Sequence, residues 1–185
     1  MQPATNPQFR LRFPASSVRQ LASSYSSELN GRDRRLTQII TEEAFPAYEE
    51  QGFLTKEQFV SVCEWKSPRA KPRFESNDTD LIREVSALAR TTTSERMRIQ
   101  AWTLLDGVKW PTASVFLHFA FPDQYPILDV RALWSLGADR PSAYNFPFWS
   151  KYTDACRTLA KKVNVTMREL DQALWKQSQM NQGKS

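Results

Sequence analysis

The chain has 185 residues, and 41% of them are apolar, which is enough for one domain or two small lobes with a buried core. It carries 25 Lys and Arg residues against 20 Asp and Glu residues, and this net charge of +5 fits a nucleic-acid partner without requiring one. Two cysteines and one histidine are fewer than the roughly four ligands of a structural zinc site or an iron–sulfur cluster, so we expect neither a metal nor a cofactor.

Cysteine and histidine are scarce in this chain, with two residues of the first and one of the second. Cys63 and Cys156 lie far apart and show no pattern of paired cysteines, which indicates a reducing compartment. The single histidine, His118, lies inside the apolar run Val115–Phe121. We therefore interpret it as a packed or groove-lining side chain rather than as a catalytic base.

The N-terminal stretch is basic and contains no acidic residue before Glu28. Its cations are Arg10, Arg12 and Arg19, and together with many serines they resemble an organellar transit peptide. We favour a flexible basic arm over residues 1–17, because Phe9, Leu11 and Phe13 alternate like a short docked segment. No run of about 18 apolar residues is present, so we expect no membrane-spanning segment.

Apolar residues then recur at helical spacing. One set comprises Val18, Leu21, Tyr25 and Leu29, and the next comprises Leu36, Ile39, Ile40, Ala44 and Ala47. A capping box follows, with Thr55 as the N-cap and Gln58 as its partner. The helix that it begins should bury Phe59, Val62 and Cys63. It should end near Trp65, because Pro68 biases the residue before it away from helical conformation.

The segment Lys66–Arg73 has two prolines, no acidic residue and four cations, which are Lys66, Arg69, Lys71 and Arg73. This composition is typical of an exposed basic loop.

The helical pattern continues to the C-terminus. A helix is predicted over residues 81–89, and another begins near Ser94. The second should carry one apolar face made of Met97, Ala101, Leu104, Leu105 and Val108. Further helices are predicted at about 112–120, 129–136, 147–163 and 167–180, the last with a capping box formed by Thr166 and Glu169. The prediction is an all-α protein with a helical domain over residues 18–180 and a disordered tail at 181–185.

A tight turn interrupts this pattern in the segment Leu104–Ser114. One helix ends, the chain turns at Gly107, and a new helix begins at about Pro111, where the missing N–H of proline costs nothing. Such a turn directs backbone N–H groups and a helix N-terminus outward, which suits a DNA phosphate. The alternative is an ordinary turn between two helices.

A second segment, Tyr125–Leu133, places Asp129 after an extended run that begins at Pro126 and before an apolar helix. Asp129 is therefore an N-cap candidate, and a helix N-terminus favours the ionised carboxylate. The alternative is a capping residue with a structural role alone.

Taken together, the two segments resemble the helix-hairpin-helix (HhH-GPD) DNA glycosylase superfamily. Its hairpin pattern of leucine, any residue, glycine, valine and glycine corresponds to Leu105–Lys109, and its apolar segment ending in a catalytic aspartate corresponds to Pro126–Asp129. Thr112 with its following alanine, and the Pro-Ile-Leu-Asp run, are most similar to the adenine-glycosylase branch. The match covers residues 101–137 and implies a two-lobed helical fold with the hairpin at about 104–114.

The resemblance also implies roles for individual residues. Asp129 would be the catalytic carboxylate. The DNA backbone would be held by Gly107, Val108, Lys109 and Thr112 of the hairpin and by Lys66, Arg69, Lys71 and Arg73 of the basic segment. The base pocket or the wedge that replaces the flipped base would come from Trp65, Trp110 and Tyr125. Core positions are expected for Trp102, Trp134, Trp149 and Trp175.

Two positions depart from the family pattern. Pro111 stands where members that also cut the strand carry a catalytic lysine, so the resemblance implies an enzyme without lyase activity. Lys109 stands where the family has glycine, which adds a cation but puts the hairpin geometry in doubt.

The function that these observations predict is a monofunctional DNA glycosylase that flips out a damaged or modified base and leaves an abasic site. One candidate target is a modified cytosine of phage DNA, which would make the role antiviral defence instead of DNA repair. One alternative is a non-catalytic helix-hairpin-helix DNA-binding protein, and a weaker one is a helical interaction protein with a coincidental hairpin. We expect a monomer that binds double-stranded DNA, in the cytoplasm at a bacterial nucleoid or in a nucleus, with organellar import a lesser alternative.

Overall fold

The computed structural model describes residues 9–183, and all regular secondary structure in this range is helical. The all-α prediction is therefore confirmed. Within residues 9–183, no helix has both the length and the apolar character needed to cross a membrane. The chain divides into two compact units. We call Leu29–Ile127 the central unit, and Met1–Glu28 with Leu128–Ser185 the terminal unit.

The central unit, which the structure describes throughout, contains seven α-helices. They are α2 (Gly31–Gln38), α3 (Phe45–Gln51), α4 (Lys56–Lys66), α5 (Lys71–Glu75), α6 (Thr79–Thr91), α7 (Glu95–Gln100) and α8 (Trp110–Ala120). A π-helical segment, Ile39–Ala44, joins α2 to α3, and 3-10 segments cover Pro68–Ala70 and Ala101–Leu104. Pro46 has no N–H to donate to the carbonyl four residues earlier, which explains why the hydrogen-bond register widens just before it.

The core of the central unit is built around α4 and α8, which pack against each other. Trp102 and Phe116 stack with ring centroids 4.0 Å apart, and Phe116 stacks on Phe59 at 5.6 Å. All three side chains are fully buried. The predicted buried face of α4 is confirmed, as is its Thr55 capping box, which aligns the helix at its start.

The predicted apolar face beginning at Ser94 is wrong for Met97 and Leu104, whereas Ala101, Leu105 and Val108 are buried as predicted. Ser94 is the N-cap of α7, but the α-helix ends at Gln100 and continues only as a short 3-10 segment. Met97 and Leu104 are 48% and 66% exposed, whereas Ile99 is fully buried. Leu104 lies beyond Gln100, where the switch to three residues per turn breaks the α-helical period that the predicted face assumed. Met97 lies within α7, so its exposure does not result from this switch.

The terminal unit contains four α-helices within the described residues. They are α1 (Val18–Ser27), α9 (Val130–Ser135), α10 (Phe146–Val163) and α11 (Met167–Asn181). Helix α11 packs against α1, α9 and α10. The capping box of Thr166 and Glu169 is confirmed at the start of α11.

The described part of the predicted basic arm is attached to the terminal unit. The N–H groups of Arg10 and Arg12 donate to the carbonyls of Leu136 and Ser135 at 2.8 and 2.9 Å, at the end of α9. The ring of Phe9 meets that of Tyr152 edge-on, with centroids 5.7 Å apart. Residues 9–13 are thus a docked segment instead of a free arm, because Leu11 and Phe13 pack against the apolar cluster of Val18, Leu21 and Ala173.

Both ends of the chain lie partly outside the described residues. The described residues do not include residues 1–8 of the predicted arm or residues 184–185 of the predicted disordered tail. Helix α11 includes Asn181, the first residue assigned to that tail.

Candidate nucleic-acid interface and candidate catalytic carboxylate

The hairpin of the central unit depends on one glycine. Val108 donates its N–H to the carbonyl of Leu105 at 3.1 Å, which closes the turn, and Gly107 adopts a φ of +82°. A Cβ atom at this position would lie 2.8 Å from Cε1 of Phe74 and 3.1 Å from Cβ of Arg73. Both the backbone conformation and the close approach of α5 therefore require glycine here.

Asn77 anchors the hairpin from the side of α5. Its side chain accepts the N–H of Asp106 at 2.6 Å and donates to the carbonyls of Asp106 at 3.1 Å and Phe74 at 3.0 Å. The residue is 4% exposed. Sequence reasoning missed Asn77, because the segment Ser76–Asp78 carries only the composition of an ordinary turn before a helix.

The backbone of the hairpin presents hydrogen-bond donors. Helix α8 begins at Trp110, one residue before the predicted start, with Lys109 in extended conformation at its N-cap. The N–H groups of Gly107 and Lys109 donate to no protein acceptor within the part of the chain that the structure describes. Val108 and Thr112 are only 5% and 4% exposed, and the N–H of Val108 is already donated to Leu105, so neither residue presents a side chain to a phosphate.

The basic segment is exposed, as predicted, but it is not a loop. It forms the 3-10 turn Pro68–Ala70 and the short helix α5, in which Pro72 occupies a first-turn position that tolerates a missing N–H. Arg73 is exposed and lies beside Gly107, so the structure brings the basic segment and the hairpin together. Arg69 and Arg73 form no ion pair with the residues described.

Lys71 is less free to contact a ligand than predicted. Its Nζ lies 3.0 Å from Oε2 of Glu64 and 4.0 Å from Oε1 of Glu75. The hydrogen bond from Lys71 is the main reason that the pKa of the Glu64 carboxyl is lowered. Lys66, at the end of α4, is half-buried.

The aromatic candidates are mostly engaged within the central unit. Trp65 is half-buried, donates from Nε1 to Oγ1 of Thr37 at 2.9 Å, and meets Phe119 edge-on with centroids 5.6 Å apart. Trp110, the first residue of α8, is also half-buried.

The prediction that Tyr125 offers a stacking surface is wrong. Tyr125 is 1% exposed, and its hydroxyl donates to Oε1 of Glu95 and accepts from Nη1 of Arg98, both at 3.1 Å. Its carbonyl lies 2.8 Å from Nδ1 of His118, which is itself 1% exposed. The interpretation of His118 as a packed side chain is confirmed, in keeping with its place in an apolar run.

Asp129 belongs to the terminal unit, where it caps α9. Its Oδ1 accepts the N–H of Arg131 at 2.8 Å, and its backbone is extended. The predicted N-cap is therefore confirmed. The side chain is half-buried, so its carboxylate is oriented by the helix and still partly open to solvent.

Two tyrosines lie within reach of the charge on Asp129. Burial raises the pKa of Tyr144, and the Asp129 carboxylate adds to the rise. The hydroxyl of Tyr144 is buried and has no hydrogen-bond partner among the residues described. Burial likewise raises the pKa of Tyr152 well above its usual value, with Asp171 and Asp129 contributing. Sequence reasoning missed both tyrosines, because neither occupies a motif position.

The hairpin and Asp129 thus lie in different units, each with its own local geometry. In the described part of the chain, no group of three or more His, Cys, Asp or Glu side chains could hold a metal ion. No protein-family model matches this sequence, and no curated protein or solved structure matches it either.

Proposed function

We propose that this protein is a monofunctional DNA glycosylase with the two-lobed helix-hairpin-helix fold of that superfamily. The observation that carries the proposal is the Asp129 carboxylate, which is half-buried and held at the N-terminus of α9 by the N–H of Arg131. A helix N-terminus favours the ionised form of such a carboxylate, and the hydrogen bond fixes its direction. Both properties are needed to stabilise a developing positive charge.

The chemistry follows from the bond that is broken. Cleavage of an N-glycosidic bond develops positive charge on the sugar, as in other glycoside hydrolysis. The fixed carboxylate of Asp129 stabilises this charge and orients or deprotonates the attacking water. The products are the free base and an abasic site.

The hairpin supports the DNA-binding half of the proposal. The N–H groups of Gly107 and Lys109 are available donors, and the side chains of Lys109 and Arg73 place positive charge beside them. Backbone N–H groups and cations bind phosphate oxygens without reading the bases, so they position DNA without choosing its sequence. A base must still leave the duplex before Asp129 acts, at a cost of a few kcal/mol.

Base release is tested directly. The pure protein is incubated with genomic DNAs that differ in base modification, including phage DNA with modified cytosine, and the released bases are identified by mass spectrometry. We expect one class of DNA to release a base and accumulate abasic sites. The source of that DNA distinguishes a defence role from base excision repair. Light scattering of the same protein preparation measures its molar mass and tests the expected monomer.

The second candidate function is a non-catalytic DNA-binding protein. The available hairpin N–H groups favour it, because they need no catalytic residue to be useful. Tight binding to every DNA with no base released from any of them would establish this alternative.

The absence of lyase activity has its own test. Pro111, in the first turn of α8, has no amine that could form a Schiff base. We expect no protein–DNA adduct after borohydride reduction, and strand breaks only after alkali or an added abasic endonuclease. A strong adduct would show that another amine, with Lys109 nearest in sequence, performs this step.

A further inference from the structure

The hairpin is not the only basic feature of the central unit. Helix α2 carries three exposed arginines to which the sequence analysis assigned no role; they are Arg32, Arg34 and Arg35. Nη2 of Arg32 reaches α4, where it lies 3.2 Å from the carbonyl oxygen of Glu64 and 3.4 Å from its Oε1. Because Glu64 also binds Lys71, one carboxylate links α2 to α5.

A groove of about 470 Å³ opens beside this link. Its lining includes Arg32, Arg35, Leu36 and Glu64. Arg35 is exposed and forms no ion pair with any residue that the structure describes. Its guanidinium therefore carries a full, uncompensated charge at the rim of the groove, whereas Arg32 shares its charge with Glu64 and Asp33.

The same surface continues to the hairpin. Helix α5 holds Lys71 against Glu64 at one point and places Arg73 beside Gly107 at another. The contacts thus run from α2 through Glu64 and α5 to the hairpin. We define the basic band as the cations along this path, which are Arg32, Arg35, Arg69, Lys71, Arg73 and Lys109.

We propose that the basic band is one continuous surface for the backbone of duplex DNA, and that Arg35 contacts a phosphate separate from those held by the hairpin. This inference rests on the proposed function and names a second anchoring point for the same partner. Duplex DNA fits because guanidinium groups and free N–H donors both match phosphate oxygens, and because the cations are spread along a path instead of clustered in one pocket. A single small anion would occupy only one end of that path.

The salt dependence of DNA binding tests the inference. Each phosphate contact releases condensed counterions, so removing one contact makes the slope of log affinity against log salt shallower by about 0.9. Arg35→Ala and Lys109→Ala should each reduce the slope by about one, and the double variant by about two. Raising the salt concentration from about 50 to about 200 mM lowers the affinity for DNA. For each removed contact, this decrease should be about threefold smaller than in the wild type.

A matched control lies in the same unit. Arg83 is exposed on α6, and its guanidinium sits 4.3 Å from the ring centroid of Phe53, which precedes the start of α4. Glu64, which pairs with Arg32 and Lys71 of the basic band, lies near the other end of α4. Arg83→Ala removes the same charge but should leave the slope unchanged. Circular dichroism and thermal melting show that each variant is folded, and Arg35→Gln, which keeps most of the side-chain volume, replaces Arg35→Ala if that variant melts early.

The outcomes separate this inference from the function on which it rests. An altered slope for Lys109→Ala with a wild-type slope for Arg35→Ala would overturn the second anchoring point and leave the hairpin intact. Equal reductions of the slope for Arg35→Ala and Arg83→Ala would also overturn it, because the effect would then reflect net charge alone. Absence of any DNA binding by the wild-type protein would remove both proposals together.

Discussion

The hairpin of the central unit and the Asp129 region of the terminal unit differ in how they are held in place and in which polar groups they present. At the hairpin, the buried side chains of Asn77 and Phe74 hold the backbone, the side chains of Arg73 and Lys109 are exposed, and the N–H groups of Gly107 and Lys109 have no acceptor among the described residues. At Asp129, one half-buried carboxylate is fixed by a helix, and its charge adds to the rise in the pKa of Tyr144 that burial causes.

The difference indicates how each region should respond to substitution. Exposed charges act in high dielectric and are screened by salt, so each contributes a modest and roughly additive amount to binding. A single oriented carboxylate acts only when the reaction proceeds, so its removal should affect rate and not affinity. The two regions should therefore be separable by experiment.

The largest expected effect is at Asp129. Asp129→Asn should lower single-turnover base release by about 10²–10⁴-fold while DNA binding is preserved. Asn is as good an N-cap as Asp, so the variant removes the negative charge but keeps the hydrogen bond that starts α9.

Asp129→Ala is the control, because it removes the cap as well and should cost about 1 kcal/mol of stability. Base release at the wild-type rate by a folded Asp129→Asn protein would remove Asp129 from the chemistry.

The next largest effect is expected at Gly107. Gly107→Ala places a non-glycine residue at φ +82° and drives a Cβ atom to within 2.8 Å of Phe74. Strain of this kind costs about 1–3 kcal/mol, and the displaced hairpin should bind DNA less tightly. Thermal unfolding and DNA titration measure the two effects.

Gly52 offers the matched comparison, since its φ is +85° but no atom lies within 4 Å of an added Cβ. Gly52→Ala should be strained without a clash and should leave DNA binding unchanged. An equal decrease of DNA affinity in both variants would mean that the hairpin makes no special contribution.

Substitution of Asn77 should lower stability by as much as Gly107→Ala does, or by less. Asn77→Ala leaves the N–H and carbonyl of Asp106 without their partner, which costs about 1–3 kcal/mol where such groups stay buried. The free energy of unfolding in urea measures this cost, and the salt dependence of DNA binding shows whether the hairpin has moved.

Asn145→Ala is the control in the terminal unit, because it removes the N-cap of α10 and should not change DNA affinity. If Asn77→Ala lowered stability but bound DNA normally, the anchoring of the hairpin by Asn77 would not matter for binding.

The smallest effect concerns the dependence of stability on pH. The pKa of Glu64 is lowered from its usual 4.5, mainly by the hydrogen bond from Lys71. A carboxyl with a lowered pKa stabilises the folded state above its unfolded pKa, and this contribution disappears as the pH falls through the folded value. Urea unfolding between about pH 6 and about pH 3, a range that spans the ordinary pKa of glutamate, should show a smaller decrease of stability for Glu64→Gln than for the wild type.

The difference should stay below about 1 kcal/mol, because both partners are partly exposed and screened by solvent. Identical pH profiles for the two proteins would show that the ion pair between Glu64 and Lys71 adds nothing to stability.

Local sequence was sufficient to predict the helix caps and the glycine turn, because these features depend on neighbours in the chain. The capping boxes at Thr55 and Thr166 and the N-cap at Asp129 were predictable, because each bond closes within three residues. The position of Gly107 in a turn was predictable for the same reason. The error at Leu104 arose because the helical period changes after Gln100, and no local pattern marked that change.

Tertiary structure alone decided the relationships between distant residues. Asn77 reaches Asp106 across 29 positions, and Arg32 reaches Glu64 across 32, so neither contact leaves a trace in a short sequence window. The burial of Tyr125 and of the Tyr144 hydroxyl depends on which helices cover them. The sequence by itself determined the helices, their caps and the glycine turn, because these follow from backbone hydrogen bonding within a few residues. Packing decided which cations stay exposed, which are paired and which polar groups are buried, because solvent exposure and ion pairing depend on chain segments far apart in sequence.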